Sequence, residues 1–352
     1  MVEMNKLMLN TIVEKDDRLG WLDGLRGFAI LLVMGAHFSI KQKYGVELGI
    51  SKTGVSFLAN ILDIGAYGVQ LFYMISGFTM CYMWQRYEQK SGFIRNFFIR
   101  RFFRLAPLFW LVMIISSIKY DVINETRMFL SFIFMTDFAP FTSYVAGGGT
   151  IDLEFTFYLL LPFMVNYMYR VELPILWIAI SLVWAYFNKD GALFSKHHFI
   201  LSQGMFFVIG GYLYHYSKKS APRILSNAYA LPIVLITAIF LLNTINGELK
   251  PVFVAGIFFI LLLCSCHGTG ATIDNRFMRF LGILSFSLYL VHFAVLASLA
   301  TLIKVYGGYG YGTVGLLILI IPSVLVSIIT YMYIEKPGIK LGRRIIKKLE
   351  NK

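Results

Sequence analysis

Ten stretches of this chain are apolar for about the length that crosses a lipid bilayer, and that leaves few folds open to it. A helix needs about 20 apolar residues to span the hydrocarbon, within a range of about 17–25. Backbone N–H and C=O groups find no partners in lipid, so a crossing segment must satisfy them internally. The runs predict spans near 21–40, 54–84, 103–119, 150–169, 172–187, 198–216, 228–246, 251–266, 281–304 and 312–334. Composition agrees: 58% of the 352 residues are hydrophobic and 14% charged, and the mean hydropathy is +0.69. A soluble domain carries roughly 45–50% apolar and roughly 25% charged residues. The expected class is therefore all-α, a polytopic membrane protein with lipid as its solvent.

The 54–84 stretch exceeds one span and predicts a turn before its helix. Segment 127–138 is apolar but short, and reads as an interfacial or re-entrant piece. Residues 1–20 are polar and run straight into the first apolar stretch without a small-residue cleavage site, so that stretch is expected to stay as a signal-anchor.

Lys and Arg set the orientation. With the N-terminus in the cytoplasm, inside segments hold 23 of the 32 basic residues and outside segments 9. That bias predicts both termini inside, which an even number of spans satisfies. It also accounts for the formal net charge of +13 without a nucleic-acid partner. Three regions follow: a cytoplasmic segment 1–20, a membrane domain 21–335 and a basic tail 336–352. The tail sequence GRRIIKKLENK is helical in pattern and suits a cytoplasmic surface rich in anionic lipid. The connections are too short to fold alone. Cys81, Cys264 and Cys266 are odd in number and lack C-x-x-C spacing, so they read as packing residues and not as a disulfide or metal framework.

Ionisable groups inside spans are costly and usually functional. The first span carries Asp23, Arg26 and His37. Eleven residues separate Arg26 from His37, a rotation of about 1100°, so both point the same way about 16 Å apart along the axis. Asp23 stands one turn before Arg26 and can pair with it. Taken singly, Arg26 also reads as a snorkelling arginine and His37 as a ring bonded to a neighbouring helix. The shared face favours a joint role.

Further along, Gly77 and Ser76 allow close helix approach, and Phe72, Tyr73 and Phe78 read as packing aromatics. The loop RNFFIRRFFRLAPLFW brings Arg100, Arg101 and Arg104 within about a helical turn. Their forked donors suit phosphates, although on these residues alone a positive-inside anchor is the better reading. Pro107 follows as the chain enters the membrane. Asp152 and Glu154 head an otherwise apolar span after three glycines. Asp152 fits a helix cap; Glu154 is deeper and does not. Near the end, Ser285, Ser287, Tyr289 and His292 bring polar groups into one span, and Glu335 stands beside Lys336 as a local ion pair would. His197, His198, His215 and His267 lack metal-ligand spacing, so they are given no role and no metal is expected.

Together these segments resemble the acyltransferase 3 family over nearly the whole chain and in the family's order. Arg26 and His37 look like its R-X10-H signature. GVQLFYMISGF looks like F-F-x-x-S-G-F, Arg100 to Pro107 like R-R-x-x-R-L-x-P, and Glu154 to Tyr158 like E-x-x-F-Y. LGILSFSLYLVH resembles G-x-x-S-Y-x-L-Y-L-x-H, and YIEKP resembles a terminal E-[RK]-P. Two departures stand out. Gly149-Thr150-Ile151 replaces the usual Trp-Ser/Thr-Leu, and Phe155 stands where a second acid is common.

The resemblance implies transfer of an acyl group, usually acetyl from acetyl-CoA, to a hydroxyl of an extracytoplasmic carbohydrate such as O-antigen or exopolysaccharide. It implies a multi-pass protein of the bacterial cytoplasmic (inner) membrane, without the fused hydrolase-like domain of some relatives. On this reading Arg100, Arg101 and Arg104 hold the CoA phosphates, Arg26 steadies the donor, and His37 is general base or forms an acyl-histidine. Glu154 orients an imidazole or binds sugar. Asp23, Asp152, Tyr158, Ser287 and His292 are placed near the acceptor. A glycolipid transporter or flippase would also use intramembrane Arg, His and Glu, but the chain shows no internal repeat of the kind common in transporters.

Overall fold

A computed structural model describes residues 19–43, 64–119, 124–138, 143–188, 199–218, 230–245, 247–267, 273–306 and 312–351. The expectations for residues 1–18, for the outer loop at 44–52, for the turn beginning at 54, and for His197 and His198 lie outside the described residues. Everything described is helical or irregular, with no strand among the described residues. The helices are α1 (Gly20–Lys43), α2 (Gly68–Tyr87), α3 (Phe93–Lys119), α4 (Glu125–Phe132), α5 (Gly148–Met164), α6 (Glu172–Phe187) and α7 (Ile200–Tyr216). They continue as α8 (Ala230–Thr244), α9 (Lys250–Cys266), α10 (Arg276–Ile283), α11 (Ser285–Tyr306), α12 (Gly312–Thr330) and α13 (Lys336–Glu350).

Among the described residues, four helical stretches are long and apolar enough to cross a membrane: Gly20–Phe38, Phe93–Ile118, Gly148–Tyr167 and Leu316–Glu350. The bent pair α10–α11 makes a fifth if counted as one span. Glu172–Phe187, Ala230–Leu242 and Lys250–Cys266 are apolar but shorter. Large apolar side chains stand outward on these helices: Phe163 is 77% exposed, and Ile118 and Phe187 are each 74% exposed. Such surface is stable in lipid, and the chain is a multi-pass helical membrane protein.

The chain divides into two compact units. The first comprises Met1–Ile75 and Lys219–Leu325. Its centre is α1, which is apolar around most of its circumference and is correspondingly buried, with Leu25, Ala29, Ile30, Val33 and Phe38 fully enclosed. Helix α10 packs along it, and α11 touches it further on. Glycine makes the α1–α10 approach possible. A Cβ on Gly27 would stand 2.0 Å from the Met278 carbonyl oxygen, and one on Gly282 would stand 1.8 Å from that of Asp23. In lipid, where burial of apolar surface gives little, such backbone contact is a main source of helix association. The expected straight span at 281–304 is in fact two helices bent by 75°. The break falls at Leu284, between Gly282 and Ser285, the kind of small residues at which helices kink.

The second unit comprises Ser76–Lys218 and Val326–Lys352. Here α5 packs on α7, and α6 on α7. Helix α3 begins at Phe93, not near 103, so the arginine-rich stretch is helix and not loop. Hydropathy marks where a helix enters lipid; it does not mark where the helix starts. From Phe93 to Ala106 no Gly or Pro interrupts the run. Pro107 lies inside α3 and cannot donate to the Phe103 carbonyl. Against that carbonyl and the Pro107 ring lies Gly338 of α13, where a Cβ would be 2.9 Å from each. The basic tail therefore docks on α3 through Gly338, Gly342 and Ile346. Leu316–Glu350 runs on as 35 residues of helix, about 52 Å at 1.5 Å per residue and longer than a bilayer is thick. A π-helical turn, Tyr331–Glu335, interrupts it and buries Glu335.

Candidate functional site

In the first unit, local helix geometry forms the Asp23–Arg26 pair: Arg26 Nη1 donates to Asp23 Oδ1 at 2.8 Å. Three turns further along α1, His37 is half-buried, and its Nδ1 lies 2.9 Å from the Val33 carbonyl oxygen. A carbonyl only accepts, so Nδ1 carries the proton and the Nε2 lone pair is left for other partners. Helix α11 brings His292 against it. His292 Nδ1 is 3.0 Å from the Leu288 carbonyl oxygen, and its Nε2 is 3.4 Å from His37 Nδ1. The two ring centroids lie 5.2 Å apart at 48°, and those of Phe293 and His37 4.6 Å apart at 66°. His292 and Ser287 have no exposed surface.

In the second unit, Glu154 faces α2. Ser76 Oγ donates to its Oε1 at 2.8 Å, and the Tyr158 hydroxyl donates to the same oxygen. Tyr158 stands one turn after Glu154, and its ring lies 5.7 Å from the Arg101 guanidinium, which also covers Phe97 at 5.8 Å. Arg101 and Arg104 are close enough to act electrostatically on the Tyr158 hydroxyl, as Glu154 does. Guanidinium over ring and hydroxyl on carboxylate thus form a continuous, partly buried set.

A shallow cleft adjoins this set and is lined by Tyr87, Lys90, Asn96, Arg100, Arg101 and Glu350 among others. The Tyr87 ring gathers cations: Lys90 Nζ is 4.9 Å and the Arg100 guanidinium 4.8 Å from its centroid. Asn96 donates to Glu350 at 2.9 Å, so the last turn of α13 closes one side. Three cations beside an aromatic face suit a phosphorylated, aromatic-bearing ligand. Arg104, one turn beyond Arg101, is outside this lining.

The structure corrects the expectation for Asp152. Helix α5 is capped by Gly147, in the left-handed region at φ 74°, and Asp152 stands in the second turn. It is fully buried and accepts from Thr136 Oγ1. Ser76 does more than allow close helix approach: its hydroxyl donates to Glu154. The general signal was present, because a hydroxyl in an apolar span needs a partner. Lys90, Tyr87, Asn96 and Glu350 carry no local signal of a site. They look like ordinary surface residues until α13 folds back on α3.

The fold and its ionisable sites define a polytopic helical membrane protein with polar chemistry gathered in two places. The chain belongs to the acyltransferase 3 family: the family model, described as an acyltransferase domain, matches residues 19–332. A curated relative, the acyltransferase MdmB of Streptomyces mycarofaciens, is 25% identical over 173 residues, covering 46% of this chain. The match spans 42% of that relative, less than half of its length. No solved structure matches the chain.

Proposed function

We propose that the protein is an integral-membrane O-acyltransferase moving an acyl group, acetyl in the first instance, from cytoplasmic acyl-CoA to a hydroxyl of an extracytoplasmic carbohydrate such as O-antigen or exopolysaccharide. The proposal includes ten spans, both termini in the cytoplasm and residence in the bacterial inner membrane, as the distribution of Lys and Arg supports. The observation that carries it is the His37 ring, its Nδ1 tied to the Val33 carbonyl and its Nε2 left as a lone pair on a membrane helix.

His37 Nε2 takes the proton of the acceptor hydroxyl as that oxygen attacks the thioester carbonyl. The carbon–sulfur bond then breaks, and the imidazolium returns the proton to the leaving thiolate, giving the ester and the free thiol of CoA. Arg100 and Arg101 hold the donor phosphates, with Arg104 behind them. Arg26, steadied by Asp23, guides the donor. Glu154, held by Ser76 and Tyr158, is offered to an acceptor hydroxyl.

The test is transfer by the purified full-length protein from radiolabelled acetyl-CoA to membrane glycans of its host. Labelled ester is expected with the wild type, and none with a His37→Ala variant that inserts and folds normally. Full transfer by that variant removes His37 from the chemistry. Glycolipid movement without labelled ester would instead identify a flippase.

A further inference from the structure

We propose that His292 is a positioning residue for His37, holding its ring in the tautomer whose Nε2 can accept a proton; this rests on the reading of His37 as general base. The family resemblance implies a place near the acceptor for His292, but a ring with no exposed surface is badly placed to meet a sugar. Its surroundings suit a different task.

His292 Nδ1 lies 3.0 Å from the Leu288 carbonyl oxygen, which can only accept, so the proton of a neutral ring sits on Nδ1. Its Nε2 is then a lone pair, and it stands 3.4 Å from His37 Nδ1. That atom also faces the Val33 carbonyl at 2.9 Å. Two acceptors thus converge on His37 Nδ1. With a proton there, both are satisfied by one shared donor. With the proton moved to Nε2, three lone pairs face one another, and those of the two imidazole nitrogens lose their hydrogen-bond partner. The wrong tautomer is therefore disfavoured from two sides.

The arrangement also works during transfer. When His37 becomes an imidazolium its Nδ1–H is a stronger donor, and His292 Nε2 is already in place to accept it. The plane of His37 is fixed by Phe293, whose edge meets it at 66°, and Tyr289 packs 5.8 Å from His292. A second histidine fills the place that a carboxylate occupies in hydrolytic triads, where it sets the tautomer of the base.

The experiment is nitrogen-15 NMR of the histidine-labelled full-length protein in nanodiscs, with His37 signals assigned by their loss in His37→Gln. In the wild type both rings are expected to be protonated on Nδ1 and bare on Nε2. His292→Leu is expected to move His37 towards the Nε2–H form and lower kcat by about 100-fold, with the KM for acyl-CoA unchanged. His292→Gln, whose amide oxygen stands near the lost Nε2, is expected to restore kcat to within about tenfold. A His37 ring protonated on Nε2 in the wild type, or one unmoved in His292→Leu and His292→Gln alike, overturns the proposal. Full transfer by His37→Ala would overturn the base reading itself, whatever tautomer the spectra report.

Discussion

Ser76 and Glu154, 78 positions apart, meet in a 2.8 Å hydrogen bond that joins α2 to α5. The carboxylate oxygen that accepts from Ser76 also accepts from Tyr158, so one atom gathers two donors. A half-buried acceptor served twice has a fixed direction. Ser76→Ala should lower stability by about 1–2 kcal/mol and reduce acyl transfer several-fold. Glu154→Gln keeps the shape and removes the charge, and should reduce transfer on the order of 100-fold. Thermal unfolding in detergent together with the labelled-acetyl assay checks both. Unchanged transfer by Glu154→Gln would confine the carboxylate to a structural bond.

The cleft beside α3 sets cations against one acid. Arg100→Ala should raise the KM for acyl-CoA about tenfold with kcat unchanged, as expected when uniform binding is lost. Glu350→Gln should act in the opposite direction. The amide oxygen can still accept from Asn96, while a negative charge leaves the cleft that takes an anion. Calorimetric titration with CoA reads both changes, and their effect should shrink in high salt.

Close backbone approach should make single methyl groups costly. Gly27→Ala and Gly282→Ala place a carbon about 2 Å from a carbonyl oxygen of the partner helix, and each should reduce the folded yield severely. Gly77→Ala meets the Phe207 carbonyl at 1.9 Å and should behave alike in the second unit. Gly256→Ala meets nothing within 4 Å and should leave the melting temperature level or raise it. Fluorescence-detected size exclusion of the four variants separates the two outcomes.

The Asp23–Arg26 pair is mostly enclosed, so its halves depend on each other. Asp23→Asn should destabilise the protein by about 1–3 kcal/mol, because Arg26 keeps its charge and loses the carboxylate charge 2.8 Å away. Asp23→Glu, which can still reach one turn along the helix, should recover most of that loss. Melting curves in nanodiscs test the order.

Membrane class, the helical character of the chain and the Asp23–Arg26 pair were legible in the sequence, because each rests on hydropathy or on a spacing within one helix. The rotation that puts Arg26 and His37 on a common face is likewise a property of a continuous α1, and α1 is continuous from Gly20 to Lys43. Hydropathy misjudged the elements whose limits depend on packing. The start of α3 at Phe93, the bend at Leu284 and the run from α12 through a π turn into α13 leave little trace in a sliding average.

The relationships on which the proposed function depends were decided by tertiary structure alone. His37 meets His292 across 255 positions, and Asn96 meets Glu350 across 254. Nothing local dictates either meeting. Helix periodicity says which residues share a face, but the neighbour that face receives is chosen by whole helices docking through glycines and small side chains. A histidine in an apolar run therefore announces that it needs a partner, and only the packed bundle supplies one.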